Sequence, residues 1–208
     1  MLCYTQLMIE EFHRAATEGD LAALNEHPEL VNIRHDGATA LHLAAISGQI
    51  EAALWLLEHG AVLDALDDKF GMSPTAWANE KGRKAMVDLL LAQGASITPF
   101  EAAAFGKLDR LQAFVAADPS VLTREQDWGT VLHTACIWGQ PDIVDWLIAQ
   151  GVNPALRSRQ GFTPLDIADH QSADARRHAP IVTDERKAEI ERDCARIAER
   201  LRQEQHAK

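Results

Sequence analysis

The 208-residue sequence has few cysteines and no long apolar run, and both absences exclude whole classes of protein. Its three cysteines, Cys3, Cys136 and Cys194, are odd in number and far apart, so neither a disulfide framework nor a metal knuckle is predicted. A reducing compartment, the cytoplasm, fits this cysteine usage best. No run approaches the roughly 20 apolar residues that a membrane helix needs. The first residues carry no basic segment and reach carboxylates at Glu10 and Glu11, so no secretory signal is predicted.

Basic residues are also scarce. The chain has 20 Lys and Arg against 31 Asp and Glu, for a formal net charge of −11 at pH 7. A chain this acidic repels phosphate groups, which argues against nucleic acid or an anionic membrane as the main partner. Residues 176–208 hold nine basic and seven acidic side chains, which leaves 11 basic and 24 acidic, or −13, for residues 1–175. A partner protein with a neutral or basic contact surface is therefore favoured.

No catalytic or metal-binding motif stands out in the sequence. Gly106-Lys107 lacks the upstream glycine and the Ser or Thr of a phosphate-binding loop, and there is no His-Glu-x-x-His, Cys-x-x-Cys or nucleophile elbow. No pair of carboxylates is singled out by spacing as general acid and base. We therefore predict no catalytic residue, no cofactor and no metal ligand, and we expect a protein that is not an enzyme.

What the sequence does contain is a repeated unit. A Thr or Ser suited to cap a helix is followed by small and apolar residues and then by glycine in segments 39–48, 73–82 and 130–139; segment 163–172 has Ser172 instead of the glycine. An amphipathic run follows each of the first three segments and ends at Gly60, Gly94 or Gly151. This pattern predicts two short helices per unit, with the first helix capped by its Thr or Ser and the second buried along one stripe.

The repeated unit resembles the ankyrin repeat, which has a 33-residue period and the signature Thr-Pro-Leu-His. The match rests on Thr39-Ala-Leu-His, Thr130-Val-Leu-His and Thr163-Pro-Leu, and the spacings are 34 residues from Thr39 to Ser73 and 33 from Thr130 to Thr163. The resemblance implies an all-α ankyrin-repeat solenoid that acts in non-catalytic protein–protein interaction. Whether such a protein is an adaptor, an inhibitor or a scaffold stays open.

The resemblance also gives roles to three polar residues of the repeat. His42 and His133 stand at the fourth place of the motif, where the family's histidine hydrogen-bonds neighbouring hairpin backbones. Asp166 stands at that place in the last unit, and we expect it to do similar work. Cys136 lies among the small residues of its unit, and we expect it to be buried and inert.

Two further units are degenerate and suggest an older duplication. They lie near residues 12–24 and 100–115, and each is followed by an extra turn that contains proline. With them, six units make up an ankyrin domain over residues 1–175. The spacing from Gly48 to Gly139 and from Gly60 to Gly151 is 91 residues in both cases. We interpret the domain as a tandem duplication of a three-unit block, 7–97 and 98–175.

The remaining segment, 176–208, is predicted to be a linker followed by a capping helix. Pro180 interrupts the helix expected there, and Thr183 can cap a new one. An apolar stripe follows, formed by Ile190, Cys194, Ile197 and Leu201. We expect the stripe to cover the open end of the stack, as terminal repeats require, in a monomer. The alternative is a self-associating structural protein in which the stripe, with its heptad-like spacing, is the seam of a dimer.

The resemblance implies that a partner protein binds a concave groove lined by hairpin tips and by the ends of the first helices. Apolar residues that fall at these positions are the candidate contacts: Ile46, Phe70, Met72, Phe105, Trp128, Ile137, Trp138 and Phe162. Phe105 and Trp138 hold equivalent places on adjacent units, so they should be neighbours. Clustered aromatic residues are typical anchors of protein interfaces. We expect Trp55, Trp77 and Trp146 to belong to the core.

Overall fold

A computed structural model describes residues 2–126, 129–170 and 184–206. These residues form α-helices and two short 3-10 helices, and within them β-pairing is limited to the isolated bridges His35–Ala38 and Gln126–Gly129. The predicted all-α fold is confirmed. The chain divides into two compact units, Met1–Ser96 and Ile97–Lys208, called here the N-terminal and C-terminal units.

The N-terminal unit consists of three successive helix pairs. In chain order its helices are α1 (Leu2–Glu18), α2 (Leu21–Glu26), a 3-10 turn (Pro28–Leu30), α3 (Ala40–Ser47), α4 (Ile50–Glu58), α5 (Pro74–Glu80) and α6 (Lys84–Ala92). The first helices lie side by side, with α1 packed on α3 and α3 packed on α5, while α2 packs on α4. This is the side-by-side stacking that the repeat pattern predicts.

The C-terminal unit repeats the arrangement and adds a long last helix. Its helices are α7 (Pro99–Ala104), α8 (Leu108–Ala117), a 3-10 turn (Pro119–Leu122), α9 (Val131–Ile137), α10 (Pro141–Ala149), α11 (Pro164–His170) and α12 (Asp184–His206). Helix α7 packs on α9, α9 packs on α11, and α12 contacts α9, α10 and α11. The six-unit count and the tandem duplication remain predictions.

Small residues on the first helices allow them to pack closely. Ala44, Ala45, Ala102 and Ala135 are completely buried, and larger apolar side chains from both helices of each pair fill the space between them. The largest fully buried aliphatic residues include Leu41, Leu56, Leu90, Leu111, Leu132, Ile143 and Leu147. Full burial of such a side chain contributes about 1.5–3 kcal/mol. In the C-terminal unit the buried apolar residues form one connected core, which includes residues of α7 to α12.

The apolar stripe of α12 is buried in its own unit. Ile190, Cys194, Ile197 and Leu201 are 3%, 2%, 1% and 0% exposed. A Cβ atom added to Gly139 would lie 3.1 Å from the carbonyl oxygen of Ile190, which shows how closely the last helix approaches α9. The stripe acts as the predicted cover and is not available as the seam of a dimer. The expected break at Pro180 and the cap at Thr183 lie outside the described residues.

Candidate functional site

The first hairpin of the N-terminal unit is a tight turn at residues 35–38. Asp36 and Gly37 have φ angles of 50° and 84°, as both central residues of a type I′ turn require. His35 and Ala38 exchange two backbone hydrogen bonds of 2.9 and 3.0 Å across the turn. The Asp-Gly dipeptide is therefore the local sequence signal for this hairpin.

Asp67 organises the next hairpin, and our sequence reasoning missed it. Its buried carboxylate accepts hydrogen bonds from the backbone N–H groups of Lys69 (2.9 Å), Phe70 (2.7 Å) and Met72 (2.8 Å). The indole N–H of Trp77 also donates to it, at 3.0 Å. Burial by itself raises the pKa of Asp67, but these hydrogen bonds outweigh burial and lower the pKa below its usual value. The sequence did contain a signal for this role, because Asp67 directly precedes a turn and an Asp side chain often accepts hydrogen bonds from the backbone of the turn that follows it.

Two of the proposed contact residues, Phe70 and Met72, are presented by this hairpin. The Phe70 side chain is 42% exposed, and the ammonium group of Lys69 lies 5.2 Å from its ring centroid. The Met72 side chain is partly exposed. Because Asp67 fixes the backbone of both residues, their positions do not depend on contacts made by their own side chains.

His42 connects the helix cap of its own unit to the next hairpin, as the resemblance implies. Its Nδ1 accepts from the backbone N–H of Thr39 at 3.2 Å and lies 2.8 Å from the Thr39 hydroxyl. Its Nε2 lies 3.0 Å from the carbonyl oxygen of Met72, so the neutral tautomer with hydrogen on Nε2 satisfies every contact. Burial lowers the pKa of His42, which keeps the ring neutral.

His133 makes the same set of bonds in the C-terminal unit. Nδ1 lies 3.1 Å from the N–H and 2.9 Å from the hydroxyl of Thr130, and Nε2 lies 3.1 Å from the carbonyl oxygen of Phe162. Burial lowers the pKa of His133 as well. Asp166 makes the corresponding bond to the helix cap of the last unit, where its carboxylate accepts from the N–H of Thr163 at 2.8 Å.

His13 is a third histidine at this position, in a unit that the sequence reasoning treated as lacking it. It precedes Gly19 by six residues, as His42 precedes Gly48. Its side chain is buried, its Nδ1 lies 2.9 Å from the carbonyl oxygen of Ile9, and its ring centroid lies 5.5 Å from that of His35. Burial again lowers the pKa of His13. Aligning the glycines would have found it.

Phe105 and Trp138 end the first helices α7 and α9 in the C-terminal unit. Each occupies the C-cap position, and each side chain is partly exposed. The side-chain amide of Gln140 donates to the carbonyl oxygens of Ala104 at 2.9 Å and Trp138 at 3.4 Å. One amide therefore bridges the two helix ends. Ile137 lies beside Trp138 and is also partly exposed.

The other proposed contacts divide between the two units. Ile46, at the end of α3, is partly exposed and its carbonyl oxygen accepts from the guanidinium of Arg83 at 3.3 Å. Phe162 is 47% exposed on a hairpin closed by a 2.8 Å bond from Ser158 N–H to its carbonyl oxygen. Trp128 lies outside the described residues. Of the tryptophans expected in the core, Trp55 is buried and Trp146 is partly exposed but packs against the core of its unit, whereas Trp77 is partly exposed.

The described residues offer little for chemistry. Among them there is no group of three His, Cys, Asp or Glu side chains placed to hold a metal ion. A cleft of about 270 Å³ between α10 and α12 opens to solvent and is lined by both charged and apolar residues, among them Val144, Asp145 and Arg196. Burial raises the pKa of the Cys136 thiol well above its usual value, so it is a poor nucleophile. No helix in the described part of the chain is long and apolar enough to cross a bilayer.

Comparison with known proteins finds repeats of one kind. The family model described as ankyrin repeats (3 copies) matches residues 12–101 and 100–177. The chain is 35% identical over 175 residues to a Caenorhabditis elegans homolog of transient receptor potential cation channel subfamily A member 1, covering 76% of this chain and 14% of that protein. It is 32% identical over 134 residues to the mouse B-cell lymphoma 3 protein homolog, and this match covers 64% of this chain and 25% of that protein. The chain thus spans a quarter or less of these relatives.

A solved structure agrees with the fold. It is a chain from the complex of a predatory endopeptidase from Bdellovibrio bacteriovorus with an immunity protein, with a TM-score of 0.60, 23% identity, and coverage of 81% of this chain and 95% of that chain. Ankyrin repeats generally mediate protein–protein interaction and are generally non-catalytic. With the family match extending over most of its length, this chain belongs to the ankyrin repeat family.

Proposed function

We propose that the chain binds a partner protein, without catalysing a reaction, through the surface formed by its hairpin tips and first-helix ends. One observation carries the proposal: apolar side chains at these positions stay at least partly exposed, and polar side chains such as Asp67, His133 and Gln140 hydrogen-bond the backbone that carries them. The contacts are Ile46, Phe70 and Met72 in the N-terminal unit, Phe105, Ile137, Trp138 and Phe162 in the C-terminal unit, and Trp128 by its place in the sequence.

The geometry of Phe105 and Trp138 suits them to anchor a partner. Aromatic residues provide a large contact area with few rotatable bonds, and truncating an interface anchor of this kind typically costs 2 kcal/mol or more. The Gln140 amide already fixes the two helix ends that carry them. A surface ordered before binding loses less conformational entropy on association.

The partner's contact surface is neutral or basic, because residues 1–175 carry a formal charge of −13. We place the interaction in the cytoplasm, because three cysteines that are odd in number and far apart in the sequence fit a reducing compartment. Imaging of the fluorescently tagged chain in its own cell tests the location. An adaptor, an inhibitor and a scaffold would all use such a surface.

The test compares the wild-type chain with Phe105→Ala/Trp138→Ala as baits in affinity purification from the native cell. Leu7→Ala, an exposed apolar residue on α1, is the matched control. We expect partners that wild type and control retain and the double variant loses. Binding of a purified partner should weaken at least tenfold, equivalent to about 1.4 kcal/mol. Equal capture by all three baits would contradict the proposed surface, provided that circular dichroism shows all three folded.

A further inference from the structure

Exposed apolar side chains concentrate on the loops of the N-terminal unit. Six large hydrophobic side chains are exposed among the described residues, and four of them lie within residues 33–70. They are Ile33 (41%), Val62 (55%), Leu66 (55%) and Phe70 (42%). Apolar groups clustered in water on a folded protein indicate a contact surface.

Hydrogen bonds hold the backbones of three of these residues side by side. The side-chain oxygen of Asn32 accepts from the N–H of Val62 at 2.9 Å. The guanidinium of Arg34 donates to the carbonyl oxygen of Leu66 at 2.7 Å. Ile33 therefore lies between two residues that bind the segment carrying Val62 and Leu66. We call Ile33, Val62 and Leu66 the loop edge.

Leu66 takes a place where two other hairpins have arginine. Arg34, Leu66 and Arg157 each directly precede the first residue of a hairpin. Arg34 and Arg157 donate to a carbonyl oxygen of their own hairpin, Gly37 at 3.1 Å and Gly161 at 2.6 Å. An exposed leucine makes no such bond and adds little to the core. Its side chain instead adds exposed apolar surface to the segment that also carries Val62.

The charges around the loop edge are mostly negative. Apart from the buried Asp67, segments 29–38 and 58–70 contain five Asp and Glu against two Lys and Arg. Arg34 is already paired with Asp68 at 2.9 Å, whereas the Asp36 side chain is 92% exposed. An apolar strip with an acidic rim complements a segment that has apolar residues beside basic ones.

We propose that the loop edge is a docking site for a protein segment with aliphatic or aromatic side chains flanked by Lys or Arg. The apolar side chains of the segment contact Ile33, Val62 and Leu66, and its basic side chains face Asp36. This inference rests on the proposed function of partner binding, but it uses residues other than Phe105 and Trp138. It also gives the partner a stated chemistry.

The probe is a library of random 12-residue peptides displayed on phage and selected on the full chain. Selected peptides are synthesised, and their binding is measured by fluorescence anisotropy. We expect them to combine apolar residues with Lys or Arg. Val62→Ser/Leu66→Ser should weaken binding about tenfold or more by removing apolar contact. Raising NaCl from about 50 to about 300 mM should weaken it about threefold or more, since salt screens the acidic rim.

Asp36→Asn tests the charge alone. Asn tolerates the positive φ of 50° at this position, so the hairpin should be retained and binding should weaken about twofold or more. Phe105→Ala/Trp138→Ala is the control that leaves the loop edge intact, and it should bind these peptides as wild type does. Thermal melts followed by circular dichroism establish that each variant is folded.

Three results would overturn the proposal. Peptides whose binding falls in the Phe105→Ala/Trp138→Ala variant but not in Val62→Ser/Leu66→Ser would support the proposed function and reject the loop edge. A selection that yields no binder, or binders without basic residues, would reject the stated chemistry. Sedimentation that shows a wild-type dimer abolished by Val62→Ser/Leu66→Ser would make the occupant a second copy of this chain.

Discussion

Replacing His133 with alanine tests the claim that one buried histidine joins a helix cap to the hairpin of the next repeat. The ring is completely buried and takes part in three contacts, with the N–H and hydroxyl of Thr130 and with the carbonyl oxygen of Phe162. It also fills its site closely, because a Cβ atom added to Gly129 would lie 2.7 Å from the ring. Alanine would remove all three contacts and leave a cavity.

The expected destabilisation follows from these contacts. Loss of a helix cap costs about 1 kcal/mol. A buried donor or acceptor left without a partner costs about 1–3 kcal/mol, and both the Thr130 N–H and the Phe162 carbonyl are affected. The free energy of unfolding should therefore fall by about 3 kcal/mol or more. The control is Gln112→Ala, at an exposed position on α8, which should change it by about 0.5 kcal/mol or less.

Urea unfolding at pH 8, followed by circular dichroism at 222 nm, measures both variants against wild type. The slope with denaturant must agree among the three proteins for the midpoints to be compared. A loss below about 1 kcal/mol for His133→Ala would refute the reasoning, because a single exposed hydrogen bond would explain it.

The same histidine predicts how stability depends on pH. Burial lowers the pKa of His133 in the folded chain, so the unfolded chain binds a proton first as pH falls. This contribution to stability is present above the unfolded pKa of about 6.5 and is lost as pH falls through that value toward the lowered pKa. Wild type should lose stability between pH 7 and pH 5 more steeply than His133→Ala. Equal pH profiles would mean that the ring is not held neutral.

Two further predictions concern other packed positions. Asp67→Ala should lower the free energy of unfolding by about 3 kcal/mol, because the N–H groups of Phe70 and Met72 lose the carboxylate that accepts from them. Hydrogen exchange at these two N–H groups should be faster than in wild type, and unchanged exchange would contradict the role of Asp67. Gly139→Ala should weaken the packing of α12, because the new Cβ would lie 3.1 Å from the Ile190 carbonyl oxygen and residue 139 has a positive φ of 62°. We expect faster proteolysis within α12 than in wild type, and an equal rate would contradict the prediction.

The repeat pattern predicted those parts of the fold that depend on local chemistry. Thr39 and Thr130 cap helices, glycines reverse the chain, and apolar spacing fixes which face of each second helix is buried, so helix order and pairing followed from the sequence. The apolar stripe of α12 was also predictable from the sequence, because its spacing predicts that one side of the helix is buried. Whether it would cover its own chain or a second copy depended on contacts 50 or more residues away, such as the bond from the Cys194 thiol to the carbonyl oxygen of Cys136.

The candidate site was less predictable, for a physical reason. The exposure of a side chain depends on which neighbouring loops cover it, and the packing of loops cannot be predicted from the repeat pattern. Trp77 was expected in the core, yet it is partly exposed and donates to Asp67 ten residues before it. Val62 and Leu66 were not singled out in the sequence, and their 55% exposure identifies them in the structure. His13 was missed because its unit lacks the capping Thr.

The residues that shape the hairpins are distinct from those that could contact a partner. Asp67 and His42 bind backbone groups of Phe70 and Met72, so the shape of that hairpin does not depend on which side chains those two residues carry. A substitution at Phe70 should thus alter binding with little effect on stability, whereas a substitution at Asp67 should alter both. Under the proposed function, this separation would let substitutions at a few exposed side chains change recognition while the hairpin keeps its shape.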